Sequence, residues 1–219
     1  MTAPSFLLLG SGHHARVVLE ILRTCNQTAS GCLDVTPPGS SWPSEIPYLG
    51  DDDHLATLNQ IEWLLINCLG STQDTVPRSK IFHRANGLGF QFATLVHPSA
   101  VVASDLIIGQ GGQLHAGVIV QPGSCLGENV LVNTGAILDH DTNVGDHVHI
   151  APGVVVSGGV TIGEGAHIGV GAVLKQGVSI GDNAMVGAGA VVISDVPASS
   201  RFVGNPARSN SSQSRGFTK

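Results

Sequence analysis

Aromatic side chains are scarce in this 219-residue chain, at 4%. A core without large rings is built from Val, Ile, Leu and Ala, which fits a narrow solenoid. Charge is scarce too: Asp, Glu, Lys and Arg make up 12%, the net charge is −6, and no basic cluster exists. That argues against nucleic acid as a partner. The four cysteines, Cys25, Cys32, Cys68 and Cys125, form no C-x-x-C pair and suggest no disulfide scaffold. Free thiols point to a reducing, cytoplasmic setting. Apolar runs such as Phe6–Leu9 and Trp63–Ile66 are far too short to cross a membrane. Met1–Leu9 lacks the basic start of a signal peptide. A hydrophobic content of 42% still supports a buried core, and the length allows one large or two modest domains.

What the chain does have is a period. From Val102, every sixth residue is Val, Ile or Leu, through Ile108, Leu114, Val120 and so on to Val192, without a slip. A helix repeats at 3.6 and a strand at 2, so a strict six belongs to neither. It marks a solenoid in which each rung covers the next. Four residues after most of these aliphatics stands a small or β-branched residue, as at Val118, Ala136 and Ala172. The position directly after them is rich in glycine (Gly109, Gly127, Gly145, Gly163, Gly169, Gly181, Gly187), which suits turns of unusual φ and ψ. One flat face per hexad and three hexads per triangular coil give about 18 residues per coil and roughly five coils.

The first 96 residues read differently. Phe6–Leu9 is a buried strand that runs into Gly10-Ser11-Gly12-His13-His14-Ala15 and then a helix with Val17, Val18, Ile21 and Leu22 on one face. Strand, glycine turn and helix N-terminus together make a phosphate-binding start. A short strand Gly31-Cys32-Leu33 ends at Asp34, about 20 residues past the glycines, where nucleotide folds hold a ribose. Val35–Pro47 is a loop, and Asp51-Asp52-Asp53 caps a short helix, with no metal role required. Further elements follow: a strand over Glu62–Leu69, a helix over Thr75–Asn86 with Arg78, Lys80 and Arg84 facing water, and a strand over Phe90–Leu95. A full dinucleotide fold needs two mononucleotide halves, and this stretch supplies one. The expectation is an α/β half-Rossmann (βαβαβ) domain over 1–96. A nucleoside diphosphate, as in a nucleotide sugar, suits it better than NAD. The solenoid is expected over 97–208 and a disordered tail over 209–219.

Chemistry on the repeat points to one corner. His140 follows Leu138 by two and lies in a turn between Asp139 and Asp141. A carboxylate beside an imidazole orients it and raises its basicity, as a general base requires. A turn histidine with no other role is simply solvated. Four of the five histidines in the repeat (His140, His147, His149, His167) also permit a zinc site across a subunit boundary, although their spacing does not match that of gamma-class carbonic anhydrases. No metal is expected. A non-catalytic solenoid scaffold that only assembles or binds sugar nucleotides is the other reading.

The run from Asn133 to Gly153 resembles the N-x-x-x-x-x-x-H-[DE]-x-x-I-G-x-x-x-H-[IV]-x-x-G segment of one branch of hexapeptide-repeat acetyltransferases. That branch comprises the acetyltransferases of nucleotide-linked amino sugars and the sialic acid O-acetyltransferases. Its members also begin with a short nucleotide-sugar domain opening G-x-S/G-G-H, so the resemblance spans nearly the whole chain. It implies an all-β left-handed parallel β-helix after the first domain. It implies that His140 is the general base and that Asp141 raises its basicity. His149, Gly158, Val170 and Ala188 would contact acetyl-CoA, with the Gly158 N–H holding the acetyl carbonyl. Ser11, Gly12, His13, Asp34, Val35 and Gly70 would line the nucleotide-sugar pocket, with His13 and His14 interchangeable by one residue of register. The implied protein is a cytoplasmic homotrimer that N-acetylates a UDP-linked 4-amino sugar in bacterial glycan biosynthesis. O-acetylation of sialic acid or another sugar is the alternative.

Overall fold

The computed structural model describes residues 4–71 and 74–210. The first domain contains β1 (Ser5–Leu9), α1 (His13–Thr24), β2 (Ala29–Leu33), β3 (Tyr48–Gly50), β4 (Trp63–Asn67), α2 (Val76–Gly87) and β5 (Gln91–Phe92). The strands form one parallel sheet in the order β3-β2-β1-β4-β5. Side chains alternate across it. Leu8, Cys32 and Ile66 pack with Val18, Ile21 and Leu22 of α1, while Leu7, Leu9 and Leu65 pack with Ile81, Phe82 and Ala85 of α2. The two helices therefore cover opposite faces. The strand order reverses between β2 and β4 on either side of β1, and a cleft opens at the carboxyl ends of strands at such a reversal.

Three details depart from expectation. Val17 is 42% exposed; the buried stripe of α1 is Ala15, Val18, Ile21 and Leu22. Arg78, expected to face water, is wholly buried. The strand expected over Phe90–Leu95 splits, because Gln91–Phe92 closes the first sheet while Leu95–Val96 pairs with Gln113–Leu114 of the repeat.

Three parallel sheets build the repeat. A docking face carries Leu95–Val96, Gln113–Leu114, Leu131–Val132, His149–Ile150, His167–Ile168, Met185–Val186 and Arg201–Val203. A second face carries Val101–Val102, Ile119–Val120, Ile137–Leu138, Val155–Val156, Val173–Leu174 and Val191–Val192. A third carries Ile107–Ile108, Cys125–Leu126, Asn143–Val144, Thr161–Ile162 and Ser179–Ile180. Partners lie 18 residues apart, as Ile119 with Ile137 and Cys125 with Asn143. From Leu114 to Val192 every sixth-residue aliphatic is at most 2% exposed, and the column four residues later fills the space between them. No Phe, Trp or Tyr occurs between Val102 and Val192, so nothing larger than Leu or Ile occupies the inner column. The solenoid continues past Val192: Val196 bridges Ile180, and Arg201–Val203 pairs with Met185–Val186. Arg208–Ser209 then folds back antiparallel, so Ser209 is in a strand, and the Asn210 N–H donates to the Arg201 carbonyl at 2.7 Å; residues 211–219 of the expected tail lie outside the described residues.

The glycine column has a different cause from the one read in the sequence. Gly109, Gly145 and Gly163 do not have positive φ. A Cβ at Gly109 would stand 2.7 Å from the backbone of Gly127 and Glu128 in the next coil, so close approach excludes a side chain. The left-handed residues stand two positions further on, at Gly111, Gly117, Gly123 and onward to Gly189. Four non-glycines share that column: Asn129 (φ 54°), Asp141 (φ 56°), His147 (φ 60°) and Asn183 (φ 55°). Asn and Asp tolerate this region better than most residues.

Candidate active site

Asp139, His140 and Asp141 form the corner between the second and third faces. Asp141 takes the left-handed turn position, its N–H donating to the Pro122 carbonyl at 3.0 Å. This turns its carboxylate back onto the ring, with Asp141 Oδ2 2.8 Å from His140 Nδ1. The carboxylate lies where a Cβ on Gly123 would collide with it, so that glycine leaves its room. Asp139 Oδ1 accepts the His140 N–H at 2.8 Å, and the His140 carbonyl accepts the Gly159 N–H at 2.9 Å. The hydrogen bond from Asp141, then the charge of Asp139, raise the His140 pKa above its ordinary value. With Nδ1 engaged as donor, Nε2 is left with a lone pair.

Gly158 stands one coil above. A Cβ there would lie 2.6 Å from Cε1 of His140 and would collide with Nε2. Its N–H has no acceptor among the described residues. An exposed imidazole with a free lone pair thus packs against a buried residue whose backbone N–H is unclaimed among the described residues, a pairing that can supply the base and the oxyanion donor of acyl transfer.

A separate cavity of about 520 Å³ opens between the first domain and the docking face. Of the residues expected to line a nucleotide-sugar pocket, Gly12, His13, Asp34, Val35 and Gly70 line it. Ser11 is behind the wall, its N–H and Oγ both donating to Asp34 Oδ2, at 2.6 and 2.7 Å. Asp34 therefore clamps the glycine turn. Helix α1 is capped by Gly12, which offers no side-chain hydrogen bond, and has no acid in its first turn, which leaves N–H groups open to an anion. Both candidate histidines reach the cavity, in different states. His13 is exposed; His14 stacks on His115 (centroids 5.3 Å apart, 15° between planes) and meets Gln113 Oε1 at 3.3 Å. Burial, then the Arg78 charge, lower the His14 pKa to about 4.

The acetyl-CoA residues implied by the resemblance do not come together in one chain. Gly158 is beside His140 at the second corner. Val170 and Ala188 follow Ile168 and Val186 at the first corner, between docking and second faces, with Val170 56% exposed. His149 lies on the docking face and lines the first-domain cavity. Its Nδ1 is 2.5 Å from Ser71 Oγ, its Nε2 is buried with no hydrogen-bond partner among the described residues, and its pKa is lowered to about 2, mainly by burial and then by His167. Within one chain His140, His147 and the His149–His167 pair occupy separate corners or faces. Among the described residues no group of three or more potential ligands is placed to hold a metal. Sequence reasoning missed Asp52, Cys68, Leu69, Ser71 and Asn133 in the cavity wall. The end of β4 was the available signal for three of them, since ligand clefts open at carboxyl ends of parallel strands.

Fold and corner together define a hexapeptide-repeat transferase. The family described as bacterial transferase hexapeptide (six repeats) matches residues 159–194. The acetyltransferase domain of PglB from Neisseria gonorrhoeae, in complex with acetyl coenzyme A, is 34% identical with a TM-score of 0.88, covering 95% of this chain and 100% of that one. A histidine-to-asparagine variant of perosamine N-acetyltransferase from Caulobacter crescentus, in complex with CoA and GDP-perosamine, is 35% identical with a TM-score of 0.89, covering 96% and 99%. WeeI from Acinetobacter baumannii is 26% identical with a TM-score of 0.78, covering 94% and 99%. No curated protein sequence matches. The chain belongs to the hexapeptide-repeat acetyltransferases of nucleotide-linked amino sugars, and its solenoid is a left-handed β-helix.

Proposed function

We propose that this protein moves the acetyl group of acetyl-CoA onto the amine of a nucleotide-linked 4-amino sugar, UDP-linked by preference, in bacterial glycan synthesis. The observation that carries it is the corner: the His140 ring, with Nδ1 tied to Asp141, packs on the Cα side of Gly158, whose N–H has no acceptor among the described residues. The neutral amine attacks the thioester carbonyl carbon. Its proton passes to Nε2, and Gly158 N–H holds the oxyanion. Collapse breaks the C–S bond, and the CoA thiolate takes the proton from the imidazolium. No covalent enzyme intermediate is needed when both substrates are held together.

The first domain, read as the half-Rossmann unit over 1–96, holds the nucleotide sugar through Gly12, His13, Asp34, Val35 and Gly70, with Ser11 fixing Asp34 from behind. It opens beside the docking face, whereas His140 stands at the opposite corner of the triangle, so a complete site takes two chains. The outer column of the second face supports this: Val101, Ile119, Ile137, Val155, Val173 and Val191 are stacked in register and none is buried. That aliphatic strip suits a homotrimer in which one chain's His140 and Gly158 face a neighbour's cavity, Val170 and Ala188. His149 would then meet the acyl end from the sugar side. Acetyl-CoA and four free cysteines fit a cytoplasmic location. A panel of UDP-, GDP- and dTDP-linked 4-amino sugars and free sialic acid, each assayed with acetyl-CoA for thiol release, tests the reading. Turnover of an amino sugar and its abolition in His140→Ala are expected. Turnover of sialic acid alone would replace N- with O-acetylation.

A further inference from the structure

Helix α2 buries a cation for which the transfer chemistry has no direct use. Arg78 is wholly buried, and no ion pair among the described residues includes it. Its Nη1 donates to the carbonyls of Asn67 and Leu69, each at 2.9 Å, bracketing Cys68 at the end of β4. Nε reaches the Asn129 carbonyl of the β-helix at 3.4 Å, and Nη2 has no acceptor among the described residues. Asn67 answers in kind: its Nδ2 donates to the Arg78 carbonyl at 2.9 Å and to Asn129 Oδ1 at 3.1 Å.

The bracketed loop is the cavity wall. Cys68, Leu69, Gly70 and Ser71 all line it. Beyond Cys68 the loop has no backbone–backbone hydrogen bond among the described residues; the Leu69 N–H goes to the Asn67 side chain instead. The Asn67 carbonyl also accepts Gln113 Nε2 at 2.8 Å, and Gln113 in turn meets His14. One guanidinium thus ties together the loop, the route to His14 and the rung at Asn129.

We infer that Arg78 is a positioning residue for the acceptor pocket: it sets the Asn67–Ser71 wall against the β-helix and so governs nucleotide-sugar affinity without touching the reacting atoms. The inference rests on the function proposed above. A planar fork reaches two carbonyls two residues apart; an ammonium keeps the charge but not that geometry. A buried cation held only by carbonyls costs folding free energy. Methionine of similar length removes both the cost and the bracket.

The test compares wild type, Arg78→Met and Arg78→Lys. Binding of UDP, GDP and CoA is measured by calorimetry, and KM and kcat for both substrates by thiol release. For Arg78→Met we expect at least tenfold weaker nucleotide binding, a similar rise in amino-sugar KM, and CoA affinity and kcat within threefold. Arg78→Lys recovers part of the loss. Nucleotide affinity within twofold of wild type in a folded Arg78→Met overturns the inference, as does equal loss of nucleotide and CoA binding. If Arg78→Met does not fold, Arg78→Lys decides: a three- to tenfold loss confined to the nucleotide supports the inference, and no selective loss overturns it. Wild type that binds neither UDP nor GDP and turns over none of the nucleotide-linked amino sugars would instead sink the proposed function itself.

Discussion

Gly158→Ala isolates the corner geometry in a single methyl group. Gly158 does not have positive φ, so alanine is compatible with its backbone. The added Cβ would stand 2.6 Å from His140 Cε1 and 3.0 Å from Cδ2, too close for either to remain. The His140 side chain is 52% exposed, so it swings outward into solvent while the β-helix stays as it is. A displacement of about 1 Å in a reacting group costs on the order of 10²-fold in rate. A general base contributes roughly 10²–10⁴-fold altogether, which caps the effect. The expected result is kcat lower by about 10²-fold, KM for both substrates within threefold, and a melting temperature within about 2 °C of wild type. The Gly158 N–H survives the change, so the loss reports the base and not the oxyanion donor. Thiol release over a range of both substrates, with thermal unfolding alongside, reads all three. A folded Gly158→Ala with kcat within threefold of wild type would refute the assignment of His140.

Other outcomes follow from the same geometry. The Asp141 hydrogen bond, then Asp139, hold the His140 pKa above the usual imidazole value, and the base works only when deprotonated, so kcat/KM rises with pH through that raised pKa. Asp141→Asn moves this acid limb to lower pH and lowers the plateau; an unmoved limb would show that another group titrates. His14, His115 and His149 have pKa values lowered to about 4, about 3 and about 2, chiefly by burial. The unfolded chain takes up protons below about pH 6.5 that the folded chain refuses, so stability falls as pH drops from 7 to 5, by at most about 1.4 kcal/mol per pH unit for each group. Thermal melts across that range check it, and a flat profile counts against these burials. Val155→Lys places a cation in the middle of the aliphatic strip on the second face. Light scattering should then show monomer with little activity; an intact trimer would mean that the chains associate elsewhere.

The order of residues by itself determined the repeat. A six-residue aliphatic register specifies its own pairing, because each rung can bury its apolar column only under another of the same phase. That register alone puts His140 in a turn next to Asp141 and Gly158 eighteen residues further on. The glycine turn at Gly10–Gly12 and the acid at Asp34 were also visible, because backbone approach to an anion demands such residues at such spacing.

Tertiary structure decided the rest, wherever the outcome depended on what lies across from a residue and not beside it in the chain. Arg78 has the helical surroundings of a solvated arginine, and only the seam between α2, the Asn67–Ser71 loop and Asn129 buries it. The glycines after each aliphatic look like turn residues, yet a neighbouring coil excludes their side chains. His149 has the same sequence neighbourhood whether it faces coenzyme or sugar; the first domain, laid on the docking face, put it against Ser71. Period is a local property and can be read from one chain in order. Burial, close approach and the choice of face are set by non-local contacts, which appear only when the coils stack and the first domain docks.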